Sequence, residues 1–160
     1  MKFRVFVAVG ANLGDRAKNI EKAISKIEER IGVVVARSSL IETKPYLPEG
    51  INEIQPYYLN GAIEVTSALS PQQILTHLTA IETELGRVRT HRTKWSPRSI
   101  DLDLLAVGDT VLNTPALTLP HPEMHRRDFV LEPLLEIAPE WIHPVVKKTV
   151  RECYEELPKG

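Results

Sequence analysis

The segment Ile100-Asp101-Leu102-Asp103-Leu104 alternates apolar and acidic side chains. In a strand it sends Asp101 and Asp103 to one face, their Cα atoms roughly 6.6–7 Å apart, and its aliphatic residues to the other. Aspartate is a poor strand former, and two like charges so placed repel unless something neutralises them. A hard divalent cation does so, because Mg²⁺ takes oxygen ligands, typically one or two carboxylates plus substrate phosphates. Asp-x-Asp is expected only about 0.16 times in a chain of this composition. A solvated strand face is the competing explanation.

Just upstream, five Lys and Arg (Arg87, Arg89, Arg92, Lys94 and Arg98) fall within residues 87–98, and no acid occurs before Asp101. Even placement of the basic residues would give about 1.5. Arginine matches phosphate bidentately, and Trp95 offers a flat face to a ring or a guanidinium. Alone, such a loop reads as a solvated basic segment. Beside a carboxylate pair it supplies the other half of a Mg-nucleotide site. There is no Gly-x-x-x-x-Gly-Lys-Ser/Thr, and Gly10-x-x-x-Gly14 is not a dinucleotide fingerprint, so Gly10 and Gly14 read as turn residues.

Pro120-His-Pro-Glu-Met-His-Arg-Arg-Asp-Phe129 adds a third polar cluster. His121 and His125 are four apart, a zinc-compatible spacing on a helix, but the prolines argue against a helix there. Phosphate contacts from His121 and Arg127 are the better reading. Asn60, after Tyr57 and Tyr58, offers both donor and acceptor to a heterocycle edge, or simply packs in a strand. Taken by themselves, these residues suggest a Mg-nucleotide site and leave open a Mg-dependent nuclease or phosphohydrolase and a non-catalytic nucleotide-binding module.

Regular elements must hold these groups. Residues 3–9 read as a mostly buried strand ending at Gly10. Asp15 caps a helix whose stripe is Ile20, Ile24, Ile27 and Ile31, stopped by Gly32. Residues 33–43 form a second strand, 44–56 a long Pro-rich loop and 57–66 a third strand. Ser70-Pro-Gln-Gln73 is a capping box opening a helix with the stripe Ile74, Leu78, Ile81 and Leu85 and a C-cap at Gly86. Residues 87–98 are a second long loop. Residues 100–107 form a strand that Gly108-Asp109 turns back into a short strand at 111–112. A short helix lies between 129 and 137, its start obscured by Pro133. Thr149-Val-Arg-Glu152 caps a C-terminal helix. Two β-α-β units followed by small additions predict an α+β ferredoxin-like sandwich, a mainly antiparallel sheet with helices packed on it, as one domain over 1–160.

Composition narrows the classes. Hydrophobic residues make up 42% and charged residues 26% of 160 residues, as in a globular protein with a real core. Twenty Lys and Arg against 21 Asp and Glu leave a formal charge of −1, which disfavours a nucleic-acid coat or a polybasic membrane binder. One cysteine excludes an intramolecular disulfide framework. No membrane span or secretory signal is expected, so the cytosol is the default compartment, and with no unusual apolar stripe in view a monomer is the default state.

Assembled, these residues make the chain resemble the 6-hydroxymethyl-7,8-dihydropterin pyrophosphokinases of folate biosynthesis. The likeness runs from Gly10-Ala-Asn-Leu-Gly-Asp15 through Ser38-Ser39, Thr43, Gln55-Pro-Tyr-Tyr-Leu-Asn-Gly61, Glu82 and Gly86-Arg-Val-Arg89. It continues through Trp95-Ser-Pro-Arg-Ser-Ile-Asp-Leu-Asp103, Pro120-His121, Arg127-Asp-Phe129 and Glu136-Ile-Ala-Pro139. Pro97-Arg98-x-x-Asp101-Leu-Asp103 is its most specific part. The resemblance implies transfer of pyrophosphate from ATP to the pterin hydroxymethyl group, with release of AMP. It implies two Mg²⁺ ions on Asp101 and Asp103, with Arg89 and Arg98 acting alongside them on the transferring group. Arg87, Arg89, Trp95, Arg98, His121 and Arg127 would clamp ATP, with Leu75, Glu82 and Ile100 nearer the nucleoside. Thr43, Pro45, Tyr58, Asn60, Trp95 and Phe129 would bind the pterin, stacked between Tyr58 and Phe129. The chain departs from the family at Thr79, where a longer amide is usual, at Pro122, often aromatic, and in a longer first loop.

Overall fold

β1 (Phe3–Ala11) places Val5, Val7, Val9 and Ala11 in one buried layer and Phe6 in another, so both faces of this central strand are covered. The structure, a computed structural model, describes residues 1–44, 57–86 and 99–158. Around β1 the strands β2 (Val33–Arg37), β3 (Ile41–Thr43), β4 (Tyr58–Ser67) and β5 (Asp101–Val107) build one sheet. Its order is β2-β4-β1-β5 with every pairing antiparallel, and β3 pairs with β4 beyond β2. With its two helices this is the ferredoxin-like arrangement that the order of elements predicts.

α1 (Arg16–Arg30) begins where Asp15 accepts the amide of Lys18, and buries Ile20, Ala23, Ile24 and Ile27. α2 (Pro71–Glu84) has the expected capping box, with Ser70 and Gln73 satisfying each other's amides. Both helices cover the Val5–Val7–Val9 face. Arg30 grips Glu84 across them at 2.5 and 2.7 Å, holding that carboxyl down at about 2. The additions after β5 form a third layer. A 3₁₀ turn at Met124–Arg126, α3 (Asp128–Ile137) and α4 (Val150–Glu155) pack Met124, Val130, Leu131, Leu134 and Cys153 onto Phe6, Ala62 and Trp141. Trp141 meets Phe6 edge-on, ring centroids 5.2 Å apart. Among the described residues, no helix is long and apolar enough to cross a membrane.

Three local expectations are corrected. The strand expected over 33–43 is broken into β2 and β3, because Ser38 turns its hydroxyl onto the β4 backbone, accepting from the amide of Ala62 at 2.9 Å. The strand after Gly108 does not return to β5. β6 (Leu112–Asn113) pairs instead with β7 (Thr118–Leu119) in a separate ribbon. Gly10 lies inside β1 rather than in a turn, whereas Gly14, at φ +72°, does turn the chain.

Gly32 ends α1 for a reason the sequence does not display. A Cβ there would sit 2.0 Å from the carbonyl oxygen of Thr66, so the chain leaving α1 runs hard against β4. Gly32→Ala should therefore lower stability by about 2–4 kcal/mol, read as a fall in the urea midpoint at unchanged slope.

His143 is 4% exposed, and its Nδ1 accepts the amides of Val145 and Val146, both at 3.2 Å. Burial, helped by nearby His125, pushes its pKa down to about 4. Because the unfolded imidazole titrates near its ordinary value of 6.5, the unfolded chain binds the proton more readily. The stabilisation is present above about pH 6.5 and is lost as pH falls through about 4. Urea titrations between pH 7 and 4 should show the wild type losing about 1–2 kcal/mol more than His143→Gln.

Candidate active site

The site lies on the α3 side of the sheet, at the end of β1 that α3 and α4 leave open. Gly10 stands between Asn60 of β4 and Asp101 of β5, directly opposite both. Residues paired in this way share a face, so Asn60 and Asp101 flank a position with no side chain, their Cα atoms about 10 Å apart. One step inward the row repeats as Ala62, Ala8 and Asp103. Two carboxylates thus project from β5 over a floor of glycine and alanine. The opposite parity carries Leu102 and Leu104 into the core, as the alternation predicts.

The register shifts in β5 between the partners of Phe6 and Val7, which places Leu105 in a bulge. A bulge bends its strand and re-aims its neighbours. Here the Leu105 carbonyl accepts the amide of His121 at 2.8 Å, bringing the 120–129 segment alongside the carboxylates. The Nδ1 of His121 accepts the amide of Glu123 at 3.3 Å, so Nε2 carries the proton of the neutral ring. Burial and the Arg127 cation hold its pKa below 6.5, against the pull of Glu123 and Asp101. The result is a neutral N–H donor beside the two acids. Arg127 itself lies over Phe129, guanidinium to ring centroid 5.6 Å, at the start of α3.

β5 ends the sheet, and its outer edge is tied by Glu82. This carboxylate, 4% exposed on α2, accepts the amide of Leu102 at 2.8 Å, midway between the two aspartates. Glu82 therefore fixes the strand from which Asp101 and Asp103 project. Leu75 lies two turns back on the same side of α2, half-buried. The side chain of Ile100, expected beside the nucleotide, is 0% exposed within the core, which leaves only its backbone to face a ligand.

On the β4 side, Asn60 donates its carboxamide N–H to the Thr43 hydroxyl. That bond orients the amide so that Oδ1 leans over Gly10, 2.7 Å from where a Cβ would be. Thr43 pairs with Tyr58, so Thr43, Tyr58 and Asn60 form one wall. Phe129, half-buried at the first turn of α3, belongs to the layer on that face. Arg87, Arg89, Trp95, Arg98 and Pro45 lie outside the described residues.

The carboxylate pair fits a hard cation that keeps open positions. Among the described residues, no group of three or more His, Cys, Asp or Glu could hold a metal, so those residues alone make no closed cage. His121 and His125 do not share a helical face. His125 stands in the 3₁₀ turn, stacked edge-on to His143 at 5.2 Å. Gly10, Glu82 as a strand tie, and the Leu105 bulge are features that sequence reasoning missed or misassigned. Only Gly10 left a signal, as a glycine in an otherwise β-branched and apolar strand.

The model of the 7,8-dihydro-6-hydroxymethylpterin-pyrophosphokinase (HPPK) family matches residues 6–139. A Synechocystis protein named 2-amino-4-hydroxy-6-hydroxymethyldihydropteridine pyrophosphokinase is 40% identical over 94% of this chain and 74% of its own length. One of the same name from Aquifex aeolicus is 39% identical, over 92% of this chain and 88% of its own. Among solved structures, wild-type Plasmodium falciparum HPPK-DHPS superposes with a TM-score of 0.75 at 16% identity. The match covers 98% of this chain but 45% of that one, and at this identity it concerns the fold. Sequence and fold agree: the chain belongs to the 7,8-dihydro-6-hydroxymethylpterin-pyrophosphokinase family.

Proposed function

We propose that the chain moves the β,γ-pyrophosphoryl group of ATP onto the hydroxymethyl oxygen of 6-hydroxymethyl-7,8-dihydropterin. The new bond joins that oxygen to the β-phosphorus. The bond from the β-phosphorus to the α–β bridging oxygen breaks, AMP leaves, and the hydroxyl proton passes to solvent or product. One observation carries this reading beyond the family name. The site has two unlike walls, carboxylates with His121 and Arg127 for phosphates, and Thr43, Tyr58 and Asn60 for a polar ring. A residue with no side chain separates them.

Asp101 and Asp103 would hold Mg²⁺, two ions in this reading, which would neutralise phosphate charge and lower the pKa of the attacking hydroxyl. The chain's own groups orient the reactants. The Nε2 proton of His121 and the Arg127 guanidinium donate to phosphate oxygens. Arg87, Arg89, Trp95 and Arg98 complete the clamp on ATP, Arg89 and Arg98 nearest the transferring group. Leu75 and Glu82 lie toward the nucleoside. Asn60 Oδ1 accepts from the pterin edge, Thr43 and Pro45 line it, and the ring stacks between Tyr58 and Phe129. The reading extends to a cytosolic monomer with neither nucleic-acid nor membrane partner, in keeping with one cysteine and a formal charge of −1.

Two measurements test it. Chromatography of the nucleotides should show AMP forming only when pterin and Mg²⁺ are both present. ADP, or hydrolysis without pterin, would identify a phosphohydrolase instead. Asp103→Asn should keep the wild-type melting temperature within about 3 °C yet lose about 10²–10⁴-fold in turnover. Near-normal turnover would remove the carboxylate pair from the mechanism.

Gly10→Ala separates the ring wall from the phosphate wall. The added methyl meets the movable tip of Asn60 rather than backbone, so stability should change by less than about 1 kcal/mol. Displacing that tip should raise the pterin KM about tenfold or more, with little change in the KM for ATP. Equal losses for both substrates would place the pterin elsewhere.

A further inference from the structure

Two segments that carry the family likeness, Ser38-Ser39 and Glu136-Ile-Ala-Pro139, have no part in the site described above, yet they meet in space. The Glu136 carboxylate accepts the amide of Ser39 at 2.9 Å and its hydroxyl at 2.7 Å, one bond to each oxygen. The partners are 97 residues apart in sequence. Both donors favour the ionised form, and the carboxyl is held below its ordinary value by them.

The strand that follows Ser39 is very short. β3 has three residues and pairs only with β4, opposing Ile41 to Asn60, Glu42 to Leu59 and Thr43 to Tyr58. So short a strand holds its place poorly by its own ladder. It is gripped at both ends. Beyond Ser39 on one side is Glu136. On the other, Arg16 at the start of α1 donates to Glu42 and to the carbonyl of Tyr57, both at 2.8 Å.

Glu136 also stands seven residues after Phe129 on α3, two helical turns along the same side. That spacing puts about 10 Å of α3, with Pro133 inside it, between the two residues. One end presents Phe129 to the site, and the other holds Ser39, two residues ahead of the strand that presents Thr43. Val130, Leu131 and Leu134 already seat α3 on the sheet, so the clasp is not what keeps the helix folded.

We propose that Glu136 is a positioning residue which, through Ser39, sets the spacing between the Thr43–Tyr58–Asn60 wall and Phe129, and thereby the affinity for the ring substrate. It touches no substrate itself. The inference rests on the reading that the pterin lies between those two walls.

The test compares Glu136→Ala, Glu136→Gln, Ser39→Ala and Asn60→Ala in the full chain. Pterin Kd is measured with Mg²⁺ and a non-hydrolysable ATP analogue, together with kcat, both KM values and the melting temperature. Glu136→Ala should raise the pterin Kd and KM about tenfold while kcat and the KM for ATP stay within about threefold. Ser39→Ala, which keeps the amide bond, should give a smaller rise. Glu136→Gln should restore near wild-type values, because the amide still accepts from the Ser39 N–H and can donate to its hydroxyl. An unchanged pterin Kd in Glu136→Ala overturns the inference. So does an equal loss in kcat and both KM values with a lowered melting temperature, and so does failure of the Gln variant to rescue. An unchanged Kd in Asn60→Ala shows instead that the slot itself is misplaced, and the inference falls with it. A raised Kd in Asn60→Ala beside an unaffected Glu136→Ala sinks the inference alone.

Discussion

Repulsion between two carboxylates on one face of β5 is the constraint around which the rest of the molecule is arranged. A strand can carry Asp101 and Asp103 side by side only if its register is certain, because a slip of one residue would send both acids into the aliphatic core. The register is secured from every direction. Leu102 and Leu104 are buried on the far face, β1 pairs along the inner edge, and Glu82 takes the Leu102 amide on the outer edge. The acids then face the half of the sheet where the floor is glycine and alanine, leaving room above them.

The third layer makes that half into a site. In a bare two-layer sandwich the whole second face of the sheet would lie open. Here α3 and α4 cover the Phe6–Ala62–Trp141 portion and stop short of Gly10. The Leu105 bulge brings His121 back beside the acids, and the start of α3 brings Arg127 and Phe129. The C-terminal additions are therefore structural cover and functional wall at once.

Much of this was legible in the residues. Period-two alternation identified β5 and the facing of its acids, and Ser70 and Thr149 announced their helices through capping boxes that the structure reproduces. Features created by tertiary proximity left no local trace. The break at Ser38 depends on an amide 24 residues away, and Gly32 on the Thr66 carbonyl. Gly10 looked like turn chemistry because glycine usually is; its meaning comes from Asn60 and Asp101 on either side. Ile100 belongs with the nucleotide by resemblance alone; the strand's own parity sends its side chain inward.

The outermost strand has a consequence of another kind. β2 leaves Val33 and Val35 more than half exposed, a run that in a flat ribbon would invite a neighbouring molecule to add its own strand. Its pairing with β4 is irregular between Val34 and Ala36, and Arg37, bound to Glu21, closes its end. The opposite rim is occupied at Leu102. Among the described residues neither border offers a long straight template, so concentrated solutions of the folded protein should resist fibril growth, and clumping would begin from chains that have first come undone.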